Sequence, residues 1–195
     1  MAKIVLILGG ARSGKSRFAQ ELASRIAARD VLFIATAEAR DDEMARRIEI
    51  HRRDRPAEWT TIEEPLAAGN AVSAAADRYR TVIVDCLTLL VSNLLMRLGE
   101  SPQPDIAERE VQCEVEALLE ACRCRTGCVI VVSGEVGMGI VPDNPLSRIY
   151  RDALGRANQA IAQRAAAVYF VVAGLPVNVR ALASNIDDVM GAITA

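Results

Sequence analysis

The sequence predicts an α/β protein with a mostly parallel sheet and helices on both faces. Three observations lead there. Continuous apolar runs recur at Ile4–Leu8, Val31–Thr36, Thr81–Val84, Cys128–Val132 and Val168–Val172. Such runs suit strands buried on both faces, the condition of a parallel sheet covered by helices. Segments with helical apolar spacing alternate with them, and a glycine-rich turn, Gly9 to Ser16, joins the first strand directly to the first helix.

Taken in order, Ile4–Leu8 is a strand and Arg17–Ala28 a helix, with Phe18, Leu22 and Ile26 on one face. After the strand Val31–Thr36, a charged helix runs from Asp41 to Arg53, its first turn acidic (Asp41, Asp42, Glu43) as the helix dipole favours. Pro56 disfavours helical geometry at Arg55 and ends it. Trp59–Ile62 reads as a short strand, and Pro65 begins an alanine-rich helix through Ala76. The strand Thr81–Asp85 leads into an apolar helix, Leu87–Leu98. The loop Glu100–Pro104 is too short to separate domains. The helix Ile106–Cys124 presents Val111, Val115, Leu118 and Leu119 on one face. Strand Cys128–Val132, a Gly- and Pro-rich loop from Gly134 to Pro145, helix Leu146–Ala166 and strand Val168–Val172 follow. Residues from Ala181 read as a short helix or loose tail. The expected organisation is one domain, 1–180, with a C-terminal extension, 181–195.

The turn Gly9-Gly10-Ala11-Arg12-Ser13-Gly14-Lys15-Ser16 matches G-x-x-x-x-G-K-[ST], the phosphate-binding loop, with the strand before it and the helix after it that the motif requires. Its glycines let the backbone curl so that successive N–H groups point inward, and the helix N-terminus adds partial positive charge. Lys15 then reaches the β- and γ-phosphates, and Ser16 offers its hydroxyl to Mg²⁺. Nucleoside triphosphate binding is the expectation.

Ligands of parallel sheets bind beyond the carboxyl ends of the strands. Gly9 to Ser16, Thr36, Asp85 and Ser133 to Gly139 all stand there. Asp85 serves either as a second Mg²⁺ ligand beside Ser16 or as N-cap of the helix that follows. His51 is the only histidine, and on a regular helix it shares a face with Met44 and Ile48, turned toward protein rather than solvent. Such a histidine is either a packed core residue or a nucleophile that divides a transfer into two steps. Arg46, Arg47, Arg52, Arg53 and Arg55 suit a triphosphate, or form a solvated face. The glycines at 134, 137 and 139 belong either to a mobile active-site loop or to an ordinary connection.

The chain has 195 residues, 51% of them hydrophobic, and a net charge of −2. One well-cored domain fits that length, and no global basic field draws it to nucleic acid. The first apolar run is too short for a signal peptide or a membrane span, so a soluble, cytoplasmic protein is expected. Five cysteines, three of them as C-x-C-x₃-C, do not match a zinc spacing and read as reduced thiols.

The ordered set of the phosphate loop, Ile34-Ala35-Thr36, Asp41 to Met44, Arg47-Ile48, His51, Arg55-Pro56, Trp59, Asp85 to Thr88, Asn93 to Leu95 and Glu135 to Pro142 resembles one family. It is similar to the bifunctional adenosylcobinamide kinase/adenosylcobinamide-phosphate guanylyltransferases of cobalamin biosynthesis, from about Ile4 to Val179. The resemblance implies phosphorylation of adenosylcobinamide by ATP or GTP. It also implies transfer of GMP from GTP, through a guanylylated His51, to adenosylcobinamide-phosphate. It implies nucleotide contacts at Gly9, Gly10, Ala11, Arg12, Ser13, Gly14, Lys15, Ser16, Ala35, Thr36, Ala37, Arg52, Arg53, Asp54, Arg55, Glu63 and Asp85, with Mg²⁺ at Ser16 and Asp85. A RecA-like fold and a homotrimer are implied as well. Many relatives carry two adjacent histidines where this chain has Ile50-His51. The alternatives are a small-molecule kinase without guanylyl transfer, and a nucleotide-dependent switch.

Overall fold

A computed structural model describes residues 1–75 and 77–194, with the side chains of residues 188, 191 and 192 left aside. The strands are β1 (Lys3–Gly9), β2 (Val31–Ala35), β3 (Thr60–Glu63), β4 (Thr81–Asp85), β5 (Cys128–Gly134), β6 (Ala167–Val172) and β7 (Leu175–Asn178). The helices are α1 (Lys15–Ala27), α2 (Asp42–Arg53), α3 (Ala68–Ala75), α4 (Leu87–Arg97), α5 (Pro104–Arg123), α6 (Pro145–Arg164), α7 (Val179–Leu182) and α8 (Ile186–Thr194). One sheet takes the order β3-β2-β4-β5-β1-β6-β7 and is parallel except at β7. The expected α/β architecture is therefore present.

Alternate residues of the buried strands feed two cores. Leu6, Val129 and Val131 join the larger one under α3 to α6, while Ile7, Ile130 and Val132 join the one under α1 and Trp59. The period-2 geometry of a strand makes this division from a continuous apolar run. Registers align the carboxyl ends: Gly9 pairs with Gly134, and Ala35 pairs with both Glu63 and Asp85. Phosphate loop, acid and loop beginnings thus reach one edge together.

Three details differ from expectation. Strand β7 was hidden by Pro176 in a four-residue run. It forms because Ala173 and Gly174, both at positive φ, make a tight turn that pairs it antiparallel to β6. As an edge strand it tolerates proline. The helix expected from Pro65 begins at Ala68, because Glu64 accepts hydrogen bonds from the N–H groups of Leu66 and Ala67 and holds the chain in a turn. Its expected end, Ala76, lies outside the described residues, as does Ala195 of the extension. The extension also contains a regular helix, α8. Among the described residues no helix is long and apolar enough to cross a membrane.

Candidate active site

The phosphate loop is held by its own backbone and by the far end of the chain. The Ser13 N–H donates to the Gly10 carbonyl at 3.3 Å, and the Lys15 ammonium donates to the same oxygen at 3.0 Å. Gly14 lies at φ 96°, where a side chain would be strained, and an added Cβ would stand 3.2 Å from the Gly174 Cα. Gly174 N–H in turn donates to the Ser13 carbonyl at 2.8 Å. Helix α1 begins at Lys15 with Gly14 as N-cap and no side-chain cap, so its first N–H groups are left for the cleft with the positive end of the dipole.

Asp85 ends β4 opposite this loop, with the Ser16 hydroxyl within hydrogen-bonding reach. It does not cap α4; Cys86 occupies that position. Burial pushes the Asp85 carboxyl up, and Ser16, His51, Arg55 and Lys15 act to pull it back. A carboxyl raised in the folded state contributes stability fully below the ordinary aspartate range and loses it as pH rises through the raised value. Without nucleotide or metal, Asp85→Asn should therefore melt a few degrees higher than the natural protein at pH 7. Thermal scans down the pH scale should show that gain vanish below the ordinary carboxylate range.

Thr36 fixes the turn that carries Asp85. Its hydroxyl donates to the Cys86 carbonyl at 2.7 Å and accepts from the Cys86 N–H at 2.8 Å, across a cis Asp85–Cys86 peptide. Its own N–H donates to the Asp85 carbonyl at 3.1 Å. Buried Asn93 completes the clamp, donating to the carbonyls of Thr36 (2.8 Å) and Pro65 (3.1 Å). Thr36→Val keeps the shape but removes both hydroxyl bonds, leaving buried backbone groups unpaired. Urea unfolding should show a loss of about 1–3 kcal/mol, largely restored in Thr36→Ser.

Helix α2 forms the other wall. Asp41 caps it, accepting from the Met44 N–H at 2.7 Å. Met44, Arg47, Ile48, His51, Arg52 and Arg55 face a cleft of about 570 Å³, shared with Ala11 to Arg17, Ala35, Ala37, Glu63, Asp85, Cys86 and Leu89. The shared face of Met44, Ile48 and His51 is present, but its direction corrects the expectation. α2 has no buried residue, and His51 is exposed toward the open cleft rather than packed in protein. Arg55 lies 3.8 Å over the Phe33 ring, and its buried Nε has no hydrogen-bond partner. Desolvation lowers the Arg55 pKa, with Asp85 opposing.

Most residues expected at the site converge on this cleft: Ala11, Arg12, Ser13, Gly14, Lys15, Ser16, Ala35, Ala37, His51, Arg52, Arg55, Glu63 and Asp85. Gly9 and Gly10 shape the loop from behind. Like those two glycines, three further residues stand apart from the lining. Arg53 is two positions beyond His51, hence on the opposite side of α2, and pairs with Glu49 at 3.0 Å. Asp54 is the C-cap of α2, and Thr36 is buried in the clamp just described. Asn93 and Gly174 were not anticipated as supports. An asparagine among Leu90, Val91, Leu94 and Leu95 is the signal that marked the first; no local signal marked the second.

Comparison with known proteins bears on fold and family. A prototypical ATPase from the type III secretion system of pathogenic bacteria superposes with a TM-score of 0.57 at 12% identity, covering 98% of this chain and 61% of that one. This likeness is one of fold. The bifunctional adenosylcobalamin biosynthesis protein CobP of Pseudomonas aeruginosa is 51% identical over 171 residues, 88% of this chain and 94% of its own length. The bifunctional adenosylcobalamin biosynthesis protein CobU of Escherichia coli is 40% identical over 182 residues, 91% and 99% of the two chains. Its namesake from Salmonella typhimurium is 41% identical over the same length. The family model described as cobinamide kinase / cobinamide phosphate guanyltransferase matches residues 5–179, and the chain belongs to that family.

Proposed function

We propose that this chain first phosphorylates the hydroxyl arm of adenosylcobinamide and then, through His51, transfers GMP from GTP onto the product, giving adenosylcobinamide-GDP. The observation that carries the reading is the position of the sole histidine, exposed in the same cleft as the phosphate loop and flanked by Arg47, Arg52 and Arg55. In the first reaction the substrate hydroxyl oxygen attacks the γ-phosphorus of ATP or GTP, the β–γ bridge breaks to release the nucleoside diphosphate, and the hydroxyl proton passes to solvent. In the second, a His51 ring nitrogen attacks the α-phosphorus of GTP and pyrophosphate leaves. An oxygen of the cobinamide phosphate then attacks the same phosphorus, breaking the P–N bond and returning imidazole. Lys15 and the α1 N–H groups hold the phosphates, and Arg52 and Arg55 stabilise charge on the transferring group. Arg12, Ser13, Ala35, Ala37 and Glu63 complete the nucleotide pocket.

Mg²⁺ fits the hard oxygen donors of Ser16 and Asp85, which stand within reach of each other. When bound, it supplies positive charge to the phosphate oxygens. The family resemblance supports a homotrimer, a cytoplasmic location and a single catalytic domain over 1–180. The decisive experiment incubates the protein with α-labelled or γ-labelled GTP and denatures it. Retained α-label alone, stable in alkali and lost in acid, is the phosphoramidate this reading requires. Bound GTP with no retained label would reduce the function to that of a kinase.

A further inference from the structure

The loop joining β5 to α6 carries apolar surface that the fold does not use. Val136, Met138, Ile140 and Val141 are all exposed, Met138 at 80% and Ile140 at 97%. Large apolar side chains this close together in water mark a contact surface more often than chance exposure. The stem beneath them is firmly tied. Glu135 N–H donates to the Gly9 carbonyl at 3.2 Å, and the Glu135 carboxylate accepts from Gly137 N–H at 2.8 Å. At the other end Arg148 donates to the carbonyls of Pro142 (2.9 Å) and Asp143 (2.6 Å), and Asn144 caps α6. Fixed at both ends, the loop holds its apolar tip outward.

Its place in the sheet gives that tip a purpose. β5 lies between β4, which ends at Asp85, and β1, which runs into the phosphate loop. The tip therefore rises beside both, yet none of its residues lines the 570 Å³ cleft. That volume lies within the range of a single small-ligand site. A corrin macrocycle, several times larger than a triphosphate chain, must keep its bulk outside and extend only its hydroxyl arm inward. The corrin rim carries methyl groups between its amide side chains, and those methyl groups complement an aliphatic surface. Resting on the function proposed above, we infer that Val136, Met138, Ile140 and Val141 form the platform for the corrin ring of the acceptor. The platform positions the acceptor arm over the phosphate loop.

The test uses the full chain carrying Met138→Ser and Ile140→Ser together. Cobinamide binding is followed by equilibrium dialysis, GTP binding by calorimetry, GMP labelling without acceptor, and assembly mass by light scattering. Cobinamide affinity should weaken about tenfold or more as the apolar contact is lost. GTP affinity, labelling and mass should stay as in the natural protein. Ile140→Leu, which preserves the apolar surface, should bind cobinamide normally. Undiminished cobinamide affinity in the double variant would overturn the assignment. A changed assembly mass would overturn it too, giving the loop to a contact between copies of the chain. A natural protein that takes no α-label and consumes no nucleotide with cobinamide would instead sink the proposed function, and the platform with it.

Discussion

His51→Ala is expected to abolish guanylyl transfer while leaving cobinamide phosphorylation close to its natural rate. The variant removes the atom proposed to bond the α-phosphorus, and no second histidine exists in the chain to replace it. Losses on removing a covalent nucleophile exceed about 10³-fold. The fold should be indifferent, since His51 is exposed on α2 and alanine is the better helix former. Two assays on one preparation decide it: cobinamide phosphate formation from γ-labelled nucleotide, and GMP transfer from α-labelled GTP to pre-formed cobinamide phosphate. A variant that still transfers GMP would remove His51 from the covalent pathway. A variant that loses both activities, with an unchanged melting temperature, would show that His51 also serves phosphorylation.

Lys15→Ala should act in the opposite pattern and depress both reactions together. Lys15 stands at the first position of α1 and lines the cleft to which the proposed function assigns both the γ- and the α-phosphorus chemistry. Removing one preorganised positive donor from a transition state in which negative charge builds costs about 10²–10³-fold. Steady-state rates of both reactions should therefore fall by that order, with nucleotide binding weakened as well. Lys15→Arg should rescue neither, because the planar guanidinium is a different shape on a different stem. If one rate survived Lys15→Ala, the two reactions would have to use different phosphate-binding modes.

The phosphate loop was legible because its chemistry is local: eight consecutive residues define the turn, the lysine and the hydroxyl. The five long strands were legible because cover on both faces, only partial at β6, leaves an uninterrupted apolar run. The face of α2 carrying Met44, Ile48 and His51 was legible from helical spacing, but its direction was not. Spacing fixes which residues share a face, whereas α2 gains only half-buried contacts and lies along an open cleft. Thr36 stood at the right strand end, yet its hydroxyl serves the Cys86 backbone rather than the cleft lining, a distinction set by a partner 50 residues away. Strand β7 and the Gly174 support were hidden for a related reason. Gly174 acts through Ser13, 161 positions earlier, β7 forms only by pairing with β6, and a Leu-Pro-Val-Asn run announces neither.

The position of β1 within the sheet also bears on how the protein is made. Lys3 pairs with Cys128 and Val5 with Ala167, so both neighbours of the first strand arrive late in synthesis. The β2–β4 pair, linking Val31–Ala35 to Thr81–Asp85, can close while the ribosome is still at work. The strand that leads into the phosphate loop has no neighbour until β5 has emerged and lacks its second until Val171 has. Nascent fragments therefore hold no complete nucleotide site, and GTP exerts no pull on folding until almost the whole sheet has closed.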